Sequence, residues 1–131
     1  MFFGRGRRAH HRRGPGGKGR FGARRPLRFL IERLSLDDPQ AAELSKILSD
    51  LRLEREQAEL DRKKASGSLA DLMTADPLDV GAVRQAAEVR VTAAGRERDA
   101  TVTAIERLHA LLQPEQRVKL AMLVRSGPFA L

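Results

Sequence analysis

Between Leu30 and Pro128 the sequence contains no aromatic side chain. The five phenylalanines stand at positions 2, 3, 21, 29 and 129, and Trp and Tyr are absent. Any core formed by that stretch is therefore aliphatic, and its middle section offers mostly Ala and Val. Small side chains remove little apolar surface from water, at about 25 cal/mol per Å². A single pair of long helices with so thin a seam makes a weak core, so the composition predicts that two copies pair into a homodimer.

The apolar spacing is helical throughout and alternates like a strand nowhere. Leu27, Phe29, Leu30, Ile31 and Leu34 predict a short helix over 27–34. Leu44, Ile47, Leu48, Leu51, Ala58 and Ala65 predict a second over about 38–65. Ser66-Gly67-Ser68 reads as an interruption, with Ser68 and Asp71 capping a short helix over 69–75. Asp76-Pro77-Leu78-Asp79 reads as a turn, since Pro77 disfavours helix at Asp76. Val80, Val83, Ala87, Val91, Ala94, Val102, Ile105, Leu108 and Leu112 mark a long helix of ~50 Å at 1.5 Å per residue. Pro114 breaks it, and Glu115 to Val124 forms a last helix ended by Ser126-Gly127-Pro128. The expected fold is all-α: a long antiparallel helical hairpin with short flanking helices, four to five in all.

Charge divides the chain. Residues 1–28 hold ten basic and no acidic side chains, whereas the remainder holds 15 basic and 17 acidic. Seven of the eleven glycines also fall in 1–28. Glycine is costly to order and like charges repel, so this segment reads as a disordered basic tail. The expected organisation is a tail at 1–28, a helical domain at 29–126 and a C-terminal tail at 127–131. Arg5, Arg7, Arg8, Arg12, Arg13, Arg20, Arg24 and Arg25, with Phe21 among them, suit a polyanion. Nucleic acid would be held through counterion release, and anionic lipid by surface charge.

Two stretches share one pattern. Leu36-Asp37-Asp38-Pro39-Gln40 and Leu112-Gln113-Pro114-Glu115-Gln116 are both Leu-x-x-x-Gln, 76 residues apart. Each sets a Leu before a helix start and a Gln at the third helical position. There the Gln side chain can reach back to the N–H at the N-cap. Asp37 is a good cap; Gln113 is a poor one, so the last helix is expected to start raggedly.

Two such motifs around a helical hairpin resemble the Spy/CpxP family of bacterial periplasmic proteins, whose motif is usually Leu-Thr-x-x-Gln. The resemblance covers about residues 30–126, with Asp37 and Gln113 in place of Thr. It implies a hairpin that dimerises into a curved cradle and holds non-native client proteins without ATP, as a chaperone or stress-response protein. The matching surface would be the mixed apolar and cationic stretch Arg52, Leu53, Arg55, Leu60, Arg62 and Lys63.

The family also has metal-responsive members of the ZraP and CnrX type, which use His with Glu and Met. Here the only histidines are His10, His11 and His109. His109 has no second His one turn away, and Arg8, Arg12 and Arg13 would repel a cation from His10-His11, so no metal site is assigned. No cofactor is expected. Without Cys there is neither a thiol nucleophile nor a disulfide framework. The loose glycine pattern at Gly4-Arg5-Gly6-Arg7-Arg8-Ala9 precedes no strand, so no enzyme activity is expected. Met1-Phe2-Phe3 runs directly into Gly4-Arg5-Gly6-Arg7-Arg8 without an apolar export segment. As written the sequence reads as cytoplasmic, or as periplasmic if the start lies further upstream.

Overall fold

The computed structural model describes residues 25–131 and contains four helices: α1 (Arg25–Leu34), α2 (Asp38–Met73), α3 (Val80–Leu111) and α4 (Pro114–Ser126). Among the described residues there is no strand. α2 and α3 pack side by side along their lengths as an antiparallel hairpin, and α1 and α4 fold across its base. Arg5, Arg7, Arg8, Arg12, Arg13, Arg20, Arg24, His10 and His11 lie outside the described residues. The expectation of disorder over residues 1–24 lies there too.

The core sits at that base. Leu30 and Leu34 of α1, Leu44, Ile47 and Leu51 of α2, Ala104 and Leu108 of α3, and Leu112, Leu120 and Phe129 form one buried cluster. Helix α1 starts at Arg25 rather than at Leu27, so residues 25–28 are helical. Leu27, Leu30, Ile31 and Leu34 recur at helical spacing against the cluster, which supports the turn that precedes them. α1 closes with Ser35 in the left-handed region at φ 50. The Leu36 N–H donates back to the Ile31 carbonyl at 3.1 Å, and Leu36 packs on the core.

Beyond the base the hairpin thins. Its buried residues there are Ala58, Ala65 and Ala93. Leu44, Leu51, Ala58 and Ala65 repeat every seventh position, so the inward row of α2 passes from leucine to alanine as it leaves the base. Ion pairs flank this seam, Arg62 with Glu97 at 2.6 Å and Arg96 with Glu54 at 3.0 Å, and Arg107 pairs with Glu43 at 2.9 Å and Asp50 at 2.7 Å beside the base.

The helix ends follow the predicted caps in two places. Asp37 Oδ1 accepts from the Gln40 N–H at 2.8 Å, and Asp79 Oδ1 from the Ala82 N–H at 3.0 Å. The predicted interruption at Ser66-Gly67-Ser68 does not occur, and α2 runs unbroken to Met73. Ser68 Oγ donates to the Lys64 carbonyl at 3.1 Å, one turn back, instead of capping a new helix. Burial of Ala65 on α3's side carries the helix through the glycine.

A continuous α2 has a direct consequence. Gly67 has open space around its Cα, so Gly67→Ala is expected to stabilise the fold by about 1 kcal/mol, read as a raised melting temperature. A helix truly broken at that point would show no gain.

Candidate functional site

The two Leu-x-x-x-Gln motifs meet in space. Gln40 Nε2 donates to Gln116 Oε1 at 2.9 Å, and Gln116 Nε2 donates to Gln40 Oε1 at 3.2 Å. Each amide also serves its own helix start. Gln40 Oε1 accepts from the Asp37 N–H at 3.2 Å, and Gln116 Oε1 from the Gln113 N–H at 2.9 Å. Each remaining donor reaches the end of another helix: Gln40 Nε2 bonds the Leu111 carbonyl and Gln116 Nε2 the Leu34 carbonyl, both at 3.1 Å. Two half-buried side chains thus serve the starts of α2 and α4 and the ends of α1 and α3. α4 begins at Pro114. The partner glutamine holds Gln116 in its capping position, so the weak Gln113 cap is not needed.

The knot fixes the base, and the arm beyond it has two unlike faces. One is a groove of about 340 Å³ between α2 and α3, lined by Asp50, Glu54, Arg96, Asp99, Thr103 and Arg107. Its three carboxylates outnumber its two guanidinium groups by one, and Ile47, Leu51, Ala100 and Ala104 line it as well. At 100° per residue, Arg52, Arg55 and Lys63 lie across α2 from that groove, and Val91, Arg98 and Val102 lie across α3. The side of the hairpin opposite the groove therefore carries Arg52, Arg55, Lys63 and Glu59 of α2, whereas Val91 and Val102 form an apolar strip along the outer side of α3, away from its buried alanines.

Val91 is 62% exposed and Val102 51%. This corrects the sequence reading of α3. Val80, Val91, Val102 and Ile105 mark its helical period, yet all four are exposed, and Ala93, Ala104 and Leu108 are the buried residues. Alanine allows the close approach of α2, which leaves the larger side chains outside. The signal was present in Ala86, Ala93 and Ala100, a row repeating every seventh position.

The residues predicted to form a client surface separate into three groups. Leu53 and Leu60 are 56% and 52% exposed on the edge of α2 turned away from its buried row. Arg52 and Lys63 are exposed, Arg55 is half-buried, and Arg52 pairs with Glu56 at 3.6 Å. Arg62 instead turns toward α3, bridging Glu97 and Glu59. Its hydrogen bond holds the Glu97 carboxyl below the usual carboxylate range. Likewise, Glu43 and then Asp50 raise the already high pKa of Arg107.

His109 is exposed near the end of α3, and Arg117 Nε donates to its backbone carbonyl at 2.9 Å. Among the described residues, no three His, Cys, Asp or Glu side chains gather into a group that could hold a metal ion.

Comparison with protein families matches residues 2–119 to one described as heavy-metal resistance. The chain belongs to the heavy-metal resistance family. This is the family of Spy-, CpxP-, ZraP- and CnrX-type helical proteins, as the paired motifs implied. No curated protein and no solved structure matches the chain. The family is one of metal-resistance or binding proteins rather than of enzymes. No helix among the described residues is long and apolar enough to cross a membrane. In this member of the heavy-metal resistance family, the second residue of each motif varies, whereas both glutamines make the contacts that join the helix ends.

Gln40→Ala and Gln116→Ala are each expected to cost about 1–3 kcal/mol, because each leaves a part-buried helix-end carbonyl and the partner amide without their hydrogen bonds. The double variant should cost less than the two combined, by about 1 kcal/mol in a denaturant-unfolding cycle. Additive losses would show that the two amides act separately.

The Arg62–Glu97 pair adds a pH dependence. Its contribution is complete above the ordinary glutamate value of 4.5 and is lost as pH falls through the lower folded-state value. Glu97→Gln should therefore flatten the acid limb of melting temperature against pH.

Proposed function

We propose that this protein is an ATP-independent, chaperone-like member of the heavy-metal resistance family that binds non-native polypeptide on the exposed apolar strip of α3. One observation carries this reading. α3 keeps its alanines inside and exposes Val80, Val91, Val102 and Ile105, between 45% and 62% of each. A soluble helix normally buries its larger apolar residues, and an apolar strip rimmed by charge marks a binding surface. Arg52, Arg55 and Lys63 elsewhere on the arm favour encounter with acidic unfolded chains. Small aliphatic contacts hold such chains loosely, so a client can leave without an energy source. Leu53 and Leu60 add a separate exposed apolar patch on the outer edge of α2. On this reading the hairpin works as a homodimer, because a second copy doubles the binding surface and reinforces the thin seam.

A metal-responsive role is the second reading, favoured by the family's description and by a match that spans His10, His11 and His109. His109 with Glu106 supplies at most two ligands from one turn of α3. Further ligands would come from the histidine pair or from a second copy.

Suppression of aggregation separates the two. The full chain, without ATP, is added to a chemically denatured protein diluted into buffer, and light scattering is followed. The wild type should suppress scattering near stoichiometric ratio. Val91→Asp/Val102→Asp should lose most of that activity while melting as the wild type does, because both side chains are exposed. Unchanged scattering with the wild type excludes a general holding function. If suppression appears only with Zn²⁺ or Ni²⁺ present, the metal-responsive reading takes its place.

A further inference from the structure

The base of the molecule carries a second surface, remote from the hairpin arm. Leu120 of α4 is buried in the core. On the opposite side of the same helix, Val118, Met122 and Arg125 stand on successive turns. Val118 is 62% exposed and Met122 61%. A groove beside them is lined by Arg33 of α1 and by Lys119, Met122, Leu123, Arg125 and Ser126 of α4, with no carboxylate. Arg33 is held over the Phe29 ring at 5.6 Å, which fixes one cation at the edge of this surface. Together α1 and α4 hold Arg25, Arg28, Arg33, Arg117, Lys119 and Arg125 against two acids, Glu32 and Glu115. The sequence that leads into α1 continues the same charge: residues 1–24 contain eight basic and no acidic side chains.

We propose that this base docks on a bilayer surface rich in anionic phospholipid. Lipid headgroups supply the phosphates for Arg33, Lys119 and Arg125. The boundary just beneath them accepts Val118 and Met122, which have no partner within the fold. Exposed aliphatic side chains set beside surface cations enter the headgroup boundary rather than cross the bilayer. The adjoining basic segment adds the further electrostatic attraction that stable surface binding needs. A nucleic acid would use the same cations but gains nothing from Val118 and Met122. Single-stranded nucleic acid also favours aromatic side chains for base stacking, and α4 has none. The inference is independent of the holding function, since it uses neither Val91 nor Val102.

The test is co-sedimentation of the full chain with vesicles of phosphatidylglycerol and phosphatidylcholine, compared with phosphatidylcholine alone. Binding is expected to the anionic vesicles only. With the basic segment intact, Arg33→Gln/Lys119→Gln/Arg125→Gln should weaken it by roughly a hundredfold, since each basic residue near the surface contributes about fivefold. Val118→Asn/Met122→Asn should weaken it several-fold at unchanged charge. All five side chains are exposed, so both variants should retain the wild-type melting temperature. Equal binding to neutral vesicles, or no binding to either, overturns the proposal. So does wild-type affinity in either variant. Tighter binding to a single-stranded oligonucleotide, with no effect of Val118→Asn/Met122→Asn on vesicles, reassigns the surface to nucleic acid.

Discussion

The helix ends at the base of this fold are joined by a pair of amides. Gln40 and Gln116 exchange hydrogen bonds with each other and connect the ends of all four helices. Helix ends leave backbone groups unpaired, and such groups need partners where water is excluded. Most proteins meet this need locally, one cap at a time. Here two side chains meet it jointly, so the register of α2 against α3 and the placement of α1 and α4 are set at one point. The surrounding leucines then close over a junction whose polar atoms are already satisfied, and no buried side-chain polar atom among the described residues lacks a partner.

From that junction outward the packing changes in kind. Leu44 and Leu51 give way to Ala58 and Ala65 on α2, and Leu108 to Ala104 and Ala93 on α3. Alanine contributes little burial but lets two helices lie close. The arms are therefore held by a narrow seam and by partly exposed ion pairs, which are worth little each in water. The valines excluded from the seam stay on the surface. The same economy that thins the arm thus supplies the exposed strip proposed to bind clients, and the rigid base keeps that strip presented.

Much of this was legible in the sequence, and the parts that were not share a cause. The hairpin, its turn at Asp76-Pro77-Leu78-Asp79 and the caps at Asp37 and Asp79 follow from local chemistry between near neighbours. The Gln40–Gln116 contact does not, because the motif pattern gives each glutamine a local task and says nothing of its remaining donor. Continuity of α2 through Gly67 was hidden for a similar reason: propensity favours a break, and tertiary burial of Ala65 overrides it. The orientation of α3 was hardest to read. Hydrophobic periodicity assumes that the larger apolar residues point inward, and this helix reverses that rule. The positions of Leu53 and Leu60 off the α2 stripe were readable, whereas the diversion of Arg62 to Glu97 required the neighbouring helix.

A rigid base joined by two amides to a weakly held arm has a distinct signature in native-state amide hydrogen exchange. The N–H groups of Asp37 and Gln113 lie at exposed helix starts, where amides normally exchange quickly. Here each donates to a glutamine side chain of the junction, so both are expected to exchange only through an opening close to global unfolding. Amides of α2 and α3 near the turn at 74–79 should exchange through smaller openings at clearly lower free energy. Fast, unprotected exchange at Asp37 and Gln113, or arms as strongly protected as the base, would contradict the view that the glutamine junction holds this fold together.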